Sequence, residues 1–282
     1  AELARSFQLE KAVSFDMGGT TAKLCIINDG YPRTSREFEV GREYRFLAGS
    51  GLPLRLPVIE MVEIGAGGSS IARLDELGRI AVGPTSAGSE PGPACYGRGG
   101  EAPTVTDADV ALGRILPDGF GKTELKFSKK AAFSAINDTM LDAETQDPTL
   151  AALGVVETVD ENMASAGRVH AIEQGCDITD GTLIAFGGAA PLHAARVAEK
   201  LGISDVIVPN GAGVGSAIGF LHAPASHENV RTRYLHLDSL NVDELITMLE
   251  EMLAESEGIV RRAAPHEDLL RSAKAFMRYA GQ

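Results

Sequence analysis

Residues 12–27 carry an apolar run, Ala-Val-Ser-Phe, then Asp16, two glycines and two threonines, then a second apolar run from Leu24 to Ile27. Short runs of this kind, broken by Gly and polar residues, predict strand–turn–strand. Asn28-Asp29-Gly30 is a hairpin signal and leads into a strand over residues 31–40. Residues 41–57, rich in Gly, Pro and Arg, predict an exposed excursion. A third strand is expected over 58–64, ending in Gly65-Ala66-Gly67-Gly68-Ser69-Ser70. Residues 71–74 and 79–82 predict a hairpin around Asp75-Glu76-Leu77-Gly78. Residues 83–127 predict an irregular insertion, dense in Pro and Gly as far as Pro103.

Helical spacing takes over in the second half. Ser128 can cap a helix over 129–141, and Val156, Val159, Met163, Ala166 and His170 share one face of a helix over 155–174. Residues 183–186 predict a short buried strand. Gly187-Gly188-Ala189-Ala190 follows, with Pro191 in the first turn of a helix that closes at Gly202. Another strand over 206–208 stops at Pro209, and 213–222 opens a helix of small residues. Asn241 and Glu244 form a capping-box pattern ahead of an apolar face of Leu245, Leu249, Met252 and Leu253. This order of elements predicts an α/β fold with a mixed sheet flanked by helices.

The first glycine cluster carries the clearest chemistry. Asp16, at the end of a strand, can hold a Mg²⁺ ion or its water. Gly18 and Gly19 allow backbone N–H groups to approach phosphate oxygens, and Thr20 and Thr21 add hydroxyl donors. The competing reading is a glycine-rich hairpin turn with a buried carboxylate. A Walker loop is excluded, because no G-x-x-x-x-G-K-[ST] is present and the chain runs on into strand-forming residues. The second cluster, with Gly67 and Gly68, suits either a close ligand approach or a bulge between strands. The third, with Gly187, Gly188 and Ala189, places a helix start at the carboxyl end of a strand, where α/β sheets bind ligands. Lys23 reads as a solvated strand position. Asp107 and Asp109 suit cation ligation or helix capping equally. His193 reads as a polar helix-start residue or a catalyst, and Cys95 as a nucleophile or, with no His nearby in sequence, a packed small residue.

Composition narrows the classes further. A net charge of −13 argues against a nucleic-acid surface, which needs basic stripes. No apolar run reaches the length of a membrane span. Cys25, Cys95 and Cys176 are too few and oddly numbered for a disulfide framework, so a reducing, cytoplasmic setting is expected.

Taken together, Asp-x-Gly-Gly-Thr-Thr and the later strand–Gly-Gly–helix resemble the phosphate and adenosine motifs of the actin, hexokinase and Hsp70 ATPase superfamily. More narrowly the chain resembles the hydantoinase A/5-oxoprolinase family. That resemblance rests on residues 14–21, 64–71 and 83–88, on Pro91-Gly92-Pro93-Ala94-Cys95-Tyr96-Gly97, on 103–108, and on Phe186-Gly187-Gly188-Ala189-Ala190-Pro191-Leu192-His193-Ala194. It implies half of an actin-like (ribonuclease H-like) ATPase core over residues 1–235, and a helical segment over 236–282 that leads into a further domain. It also implies an additional phosphate motif upstream, so a central fragment carrying half an ATP site is expected. The implied cofactors are ATP and Mg²⁺, with Asp16 as the catalytic metal-holding residue. Gly18, Gly19, Thr20, Thr21, Gly67, Gly68, Gly187, Gly188 and Ala189 would bind the nucleotide. The implied reaction is ATP-dependent opening of a cyclic amide, or carboxylation of a ketone, through a phosphorylated intermediate, with a B-type partner subunit. A small-molecule or sugar kinase and a non-catalytic nucleotide-binding module are the alternatives.

Overall fold

The computed structural model describes residues 1–41, 49–116, 126–141 and 147–279. The chain divides into two compact units, Ala1–Gly219 and Phe220–Gln282.

The first unit is α/β, as the periodicity predicts. A short helix α1 (Glu2–Ser6) precedes β1 (Lys11–Met17), β2 (Ala22–Asn28), β3 (Tyr31–Pro32), β4 (Thr34–Val40), β5 (Leu52–Ile59), β6 (Val62–Ile64), β7 (Ser70–Leu74) and β8 (Ile80–Ser86). Then come α2 (Val105–Ala111), α3 (Lys129–Met140), α4 (Pro148–Glu173), β9 (Thr182–Phe186), α5 (Ala190–Leu201), β10 (Asp205–Ile207) and α6 (Gly215–Leu221). Among the described residues the main sheet has six strands in the order β10-β9-β1-β2-β3, with β6 also pairing β2. β10, β9 and β1 run parallel; β2 is antiparallel to β1, β3 and β6. The sheet is therefore mixed. β4–β5 and β7–β8 form separate two-stranded ribbons.

Strand alternation sorts the side chains by face. Val13, Phe15 and Met17 of β1 join Leu183 and Ala185 of β9 in the main core, beneath α2, α4 and α5. Ala12, Cys25, Ile27 and Ile184 face the other way and pack with Ala4 of α1 in a smaller cluster. Helix α4 is the long brace of the main core. Asp147 caps it by accepting from Thr149 N, Pro148 opens it, and small apolar residues from Ala151 to Ala171 bury its inner side.

Several expectations need correcting. Residues 52–59 form β5, paired with β4, rather than part of an exposed excursion. Pro53 and Pro57 do not prevent this, because a two-stranded ribbon has an outer edge that needs no N–H donor. Residues 42–48 of that excursion lie outside the described residues. The strand expected over 58–64 is divided between β5 and β6. Within the supposed irregular insertion, β8 runs to Ser86 and α2 is a fully buried helix; residues 117–125 lie outside the described residues. Helix α4 starts at Pro148, earlier than the apolar stripe alone indicates.

The second unit contains α7 (Val242–Ala263), capped by Asn241, which accepts from Asp243 N and Glu244 N. Arg231 pairs with Glu251 and Glu255 of that helix. Among the described residues no helix is long and apolar enough to cross a membrane.

Candidate functional site

Residues 18–21 turn the chain between β1 and β2, whose last pair is Met17 with Ala22. Gly18 N donates to Thr21 O at 3.1 Å and closes the turn. The N–H groups of Gly19, Thr20 and Thr21 have no acceptor among the described residues. A cavity of about 280 Å³ opens here, lined by Asp16, Gly18, Gly19, Thr20, Thr21 and Lys23. Thus five of the residues expected at the site, Asp16 and the four of the turn, converge on one space. Lys23 joins them. It is the direct cross-strand partner of Asp16, which puts both side chains on the same face. Its Nζ lies 3.8 Å from Glu63 Oε1, and the side chain is 44% exposed, so it is a cation at the cavity rather than only a solvated strand position.

Asp16 is held in place from elements far along the chain. Ser216 Oγ, at the start of α6, donates to Asp16 Oδ2 at 2.8 Å. Gly187 adopts φ +100° against it, and a Cβ there would lie 2.5 Å from Asp16 Oδ1 and 2.5 Å from Met17 O. Only glycine fits this approach. Gly187 N donates to Ala212 O, and Ala189 N donates to Met17 O at 2.9 Å. The turn after β9 therefore packs behind Asp16, with Gly188 exposed beside it.

Of the two readings open for Gly67 and Gly68, the structure places them beneath the cavity-lining turn rather than on the cavity. Both are buried beneath the first loop. Gly68 N donates to Gly18 O, and Gly67 N donates to Ser70 Oγ, so neither has an N–H left for a ligand. A Cβ on Gly67 would meet the Gly19–Thr20 peptide at 2.6 Å. Their absent side chains let two backbones touch: the second cluster supports the loop instead of extending the cavity. Ser69 N, donating to Gly19 O at 2.6 Å, strengthens the same contact.

Asp107 is resolved as a cap. Its carboxylate accepts from Ala94 N, Cys95 N, Thr104 N and Thr104 Oγ1, all in the interior. With Thr104 it forms the capping box of α2, and it gathers the Pro/Gly segment onto that helix start. Burial, together with the nearby Asp107, pushes the Cys95 thiol well above its ordinary value, which leaves no thiolate for nucleophilic work.

His193 is fully buried in a cluster that sequence reasoning saw only in part. Its Nδ1 lies 2.7 Å from Asp160 Oδ1, and its Nε2 lies 3.3 Å from Asp109 Oδ2. The second contact is close enough for an ion pair but is not aligned as a hydrogen bond. Arg114 Nη1 approaches Asp109 Oδ1 at 3.5 Å. Burial pulls the His193 pKa down, but the two carboxylates outweigh it and lift it to about 9. Asp160 was legible only as an acid interrupting the apolar stripe between Val156 and Met163 of α4. Ser216 carried no signal at all, because it lies 200 residues from the acid it binds.

Fold and site define an α/β protein in which a strand-end carboxylate and a Gly-Gly-Thr-Thr turn share an open cavity. Residues 1–229 match the Hydantoinase/oxoprolinase family, and the chain belongs to that family. It is 37% identical over 279 residues to an uncharacterized protein of Methanocaldococcus jannaschii, covering 96% of this chain and 40% of the relative. It is 35% identical over 241 residues to caprolactamase subunit alpha of Pseudomonas jessenii, covering 86% of this chain and 33% of the relative. The solved structure of that ATP-dependent caprolactamase matches with a TM-score of 0.70 at 32% identity, over 92% of this chain and 36% of the other. A nucleotide-free acetone carboxylase, from work on ATP-dependent acetone carboxylation, matches with a TM-score of 0.75 at 26% identity, over 94% of this chain and 37% of the other. The chain thus spans at most 40% of the length of these relatives.

Proposed function

We propose that this chain is the nucleotide-binding region of an ATP-dependent enzyme that opens a cyclic amide or carboxylates a ketone through a phosphorylated intermediate, working with a B-type partner subunit. The observation that carries the reading is the cavity lined by Asp16, the 18–21 turn and Lys23. In this reading β1, β2, β9 and their glycine turns are half of an actin-like ATPase core. The two matched solved structures come from ATP-dependent systems by description, and that supports ATP as the ligand.

The donor set suits Mg²⁺, which keeps several waters and takes one or two carboxylates rather than a full protein cage. Among the described residues no group of three His, Cys, Asp or Glu could hold a metal, and one carboxylate beside a roomy cavity is what remains. Bound Mg²⁺ would supply neutralisation of phosphate charge. Asp16 would hold the ion or its water, with Ser216 and Gly187 fixing the carboxylate. The N–H groups of Gly19, Thr20 and Thr21, the threonine hydroxyls and Lys23 would bind phosphate oxygens. Gly187, Gly188 and Ala189 would border the nucleoside, while Gly67 and Gly68 would act only through the loop above them.

Calorimetric titration with Mg-ATP tests this directly. Saturable binding by the wild type, lost in Asp16→Ala with unchanged melting, is the expected result. Equal binding by the variant would remove the metal role, and no binding by the wild type with the other half of the core present would overturn the reading. Phosphate release that depends on an added cyclic amide or on an added ketone, with the partner subunit present, separates the two substrate classes.

A further inference from the structure

The buried cluster around His193 joins two arms that both end on the phosphate loop. One arm runs from Asp109 back along α2 to Thr106, whose N and Oγ1 both donate to Gly68 O at 2.8 Å; Gly68 N in turn donates to Gly18 O. The other runs from His193 back along α5 to Ala189, whose N donates to Met17 O. The chain of contacts is closed: Met17 and Gly18 are gripped from two sides, and the arms meet at His193. Asp160, from α4, holds the third side of the imidazole. Two carboxylates thus face two cations, His193 and Arg114, in a site where the acids and the imidazole are 2% exposed or less. Charges so deeply buried cost stability unless they are matched, and breaking one partner leaves the others uncompensated.

We infer that His193 is a positioning residue: clamped by Asp160 and Asp109, it sets the separation of the Ala189–Met17 and Gly68–Gly18 contacts and so the shape of the loop over residues 16–21. The consequence for nucleotide affinity rests on the function proposed above; the consequence for the two contacts does not.

Amide hydrogen exchange by NMR reads both contacts without any ligand. In His193→Gln the protection factors of the Ala189 and Gly68 amides should fall at least tenfold further than that of Leu183, within β9, which reports only the general loss of stability. Asp109→Asn keeps the shape of the cluster and removes one charge, so it should show the same pattern at smaller amplitude. The pH dependence supplies a signature that simple packing would not. The titratable and charged groups facing the imidazole are Asp160 of α4, Asp109 of α2 and Arg114 beyond α2. Stability contributed by the imidazolium is present in full below pH 6.5 and is lost as pH rises through about 9. Wild-type protection at Ala189 and Gly68 should therefore drop between pH 8 and pH 10, and the drop should be absent in His193→Gln. Unchanged protection in both variants, or a uniform loss that includes Leu183, overturns the inference. If His193→Gln does not fold, the wild-type pH series and Asp109→Asn decide it. On the ligand side, Mg-ATP affinity falling about tenfold in His193→Gln is expected. Wild-type protein that fails to bind Mg-ATP with the other half of the core present would overturn the nucleotide reading while leaving the exchange result to judge the positioning role.

Discussion

Asp16 and Asp107 both stand beside glycine-rich segments, and the protein gives them opposite settings. Asp107 is fully buried and accepts from three backbone N–H groups and a threonine hydroxyl. Asp16 is half-buried, accepts one side-chain hydrogen bond among the described residues, and lines a cavity. A carboxylate whose lone pairs are all engaged by the chain's own donors is scaffold. One with lone pairs remaining at an open space is free to meet a cation. The two acids look alike in sequence; what separates them is how many donors the fold delivers.

The comparison can be broken at either end. The largest effect is expected at the scaffold acid. Asp107→Ala leaves the N–H groups of Ala94, Cys95 and Thr104 buried without an acceptor, and even at the low end of about 1–3 kcal/mol for each unsatisfied group the loss should be at least about 3 kcal/mol. Urea denaturation measures it, and a change below about 1 kcal/mol would show that Asp107 is not the hub described. Gly187→Ala should come next. A methyl group placed on a residue with φ +100°, against Asp16 and Met17, should cost about 2–3 kcal/mol of stability. It should also weaken Mg-ATP binding more than tenfold in calorimetry, because the displaced group is the acid proposed to hold the metal. Wild-type affinity in that variant would detach Gly187 from the site. The smallest effect belongs to Ser216→Ala, which removes only the donor to Asp16 Oδ2. Affinity should fall by about two- to fivefold, the value of one exposed hydrogen bond, with no measurable change in melting.

Much of the fold could be read from the residues because the signals were local. Ser128, Asn241, and the pair Pro191 and Gly202 each mark a helix end through a rule that acts within one turn, whereas the same kind of signal at Asp147 and Pro148 was passed over in favour of the apolar stripe that begins later. The two apolar runs within residues 12–27, divided by the Gly-Gly-Thr-Thr turn, likewise marked β1 and β2. β5 was missed because its prolines argue against a strand, a bias that applies only where both edges are paired. α2 was missed because the Pro/Gly-rich run before it hides a helix whose cap, Thr104 with Asp107, also anchors that run.

At the site, the division is similar. Asp16 and the 18–21 turn are contiguous, so their chemistry was visible as a motif. Gly67 and Gly68 looked like the same kind of motif, yet their N–H groups are taken by Gly18 O and Ser70 Oγ, and no local pattern reveals that. Lys23 gained its place at the cavity from cross-strand register with Asp16, which depends on the turn length between them.

By itself the sequence determined the elements whose causes act over a few residues: strand alternation, helix caps, and the glycines that allow a tight turn after Asp16. Only the tertiary structure decided which polar groups remain available. Ser216 reaches Asp16, Thr106 reaches Gly68, and Asp160 reaches His193 because the sheet and helices bring distant segments within hydrogen-bond range. Hydrogen bonding and burial depend on neighbours in space, and those are set by packing rather than by spacing along the chain.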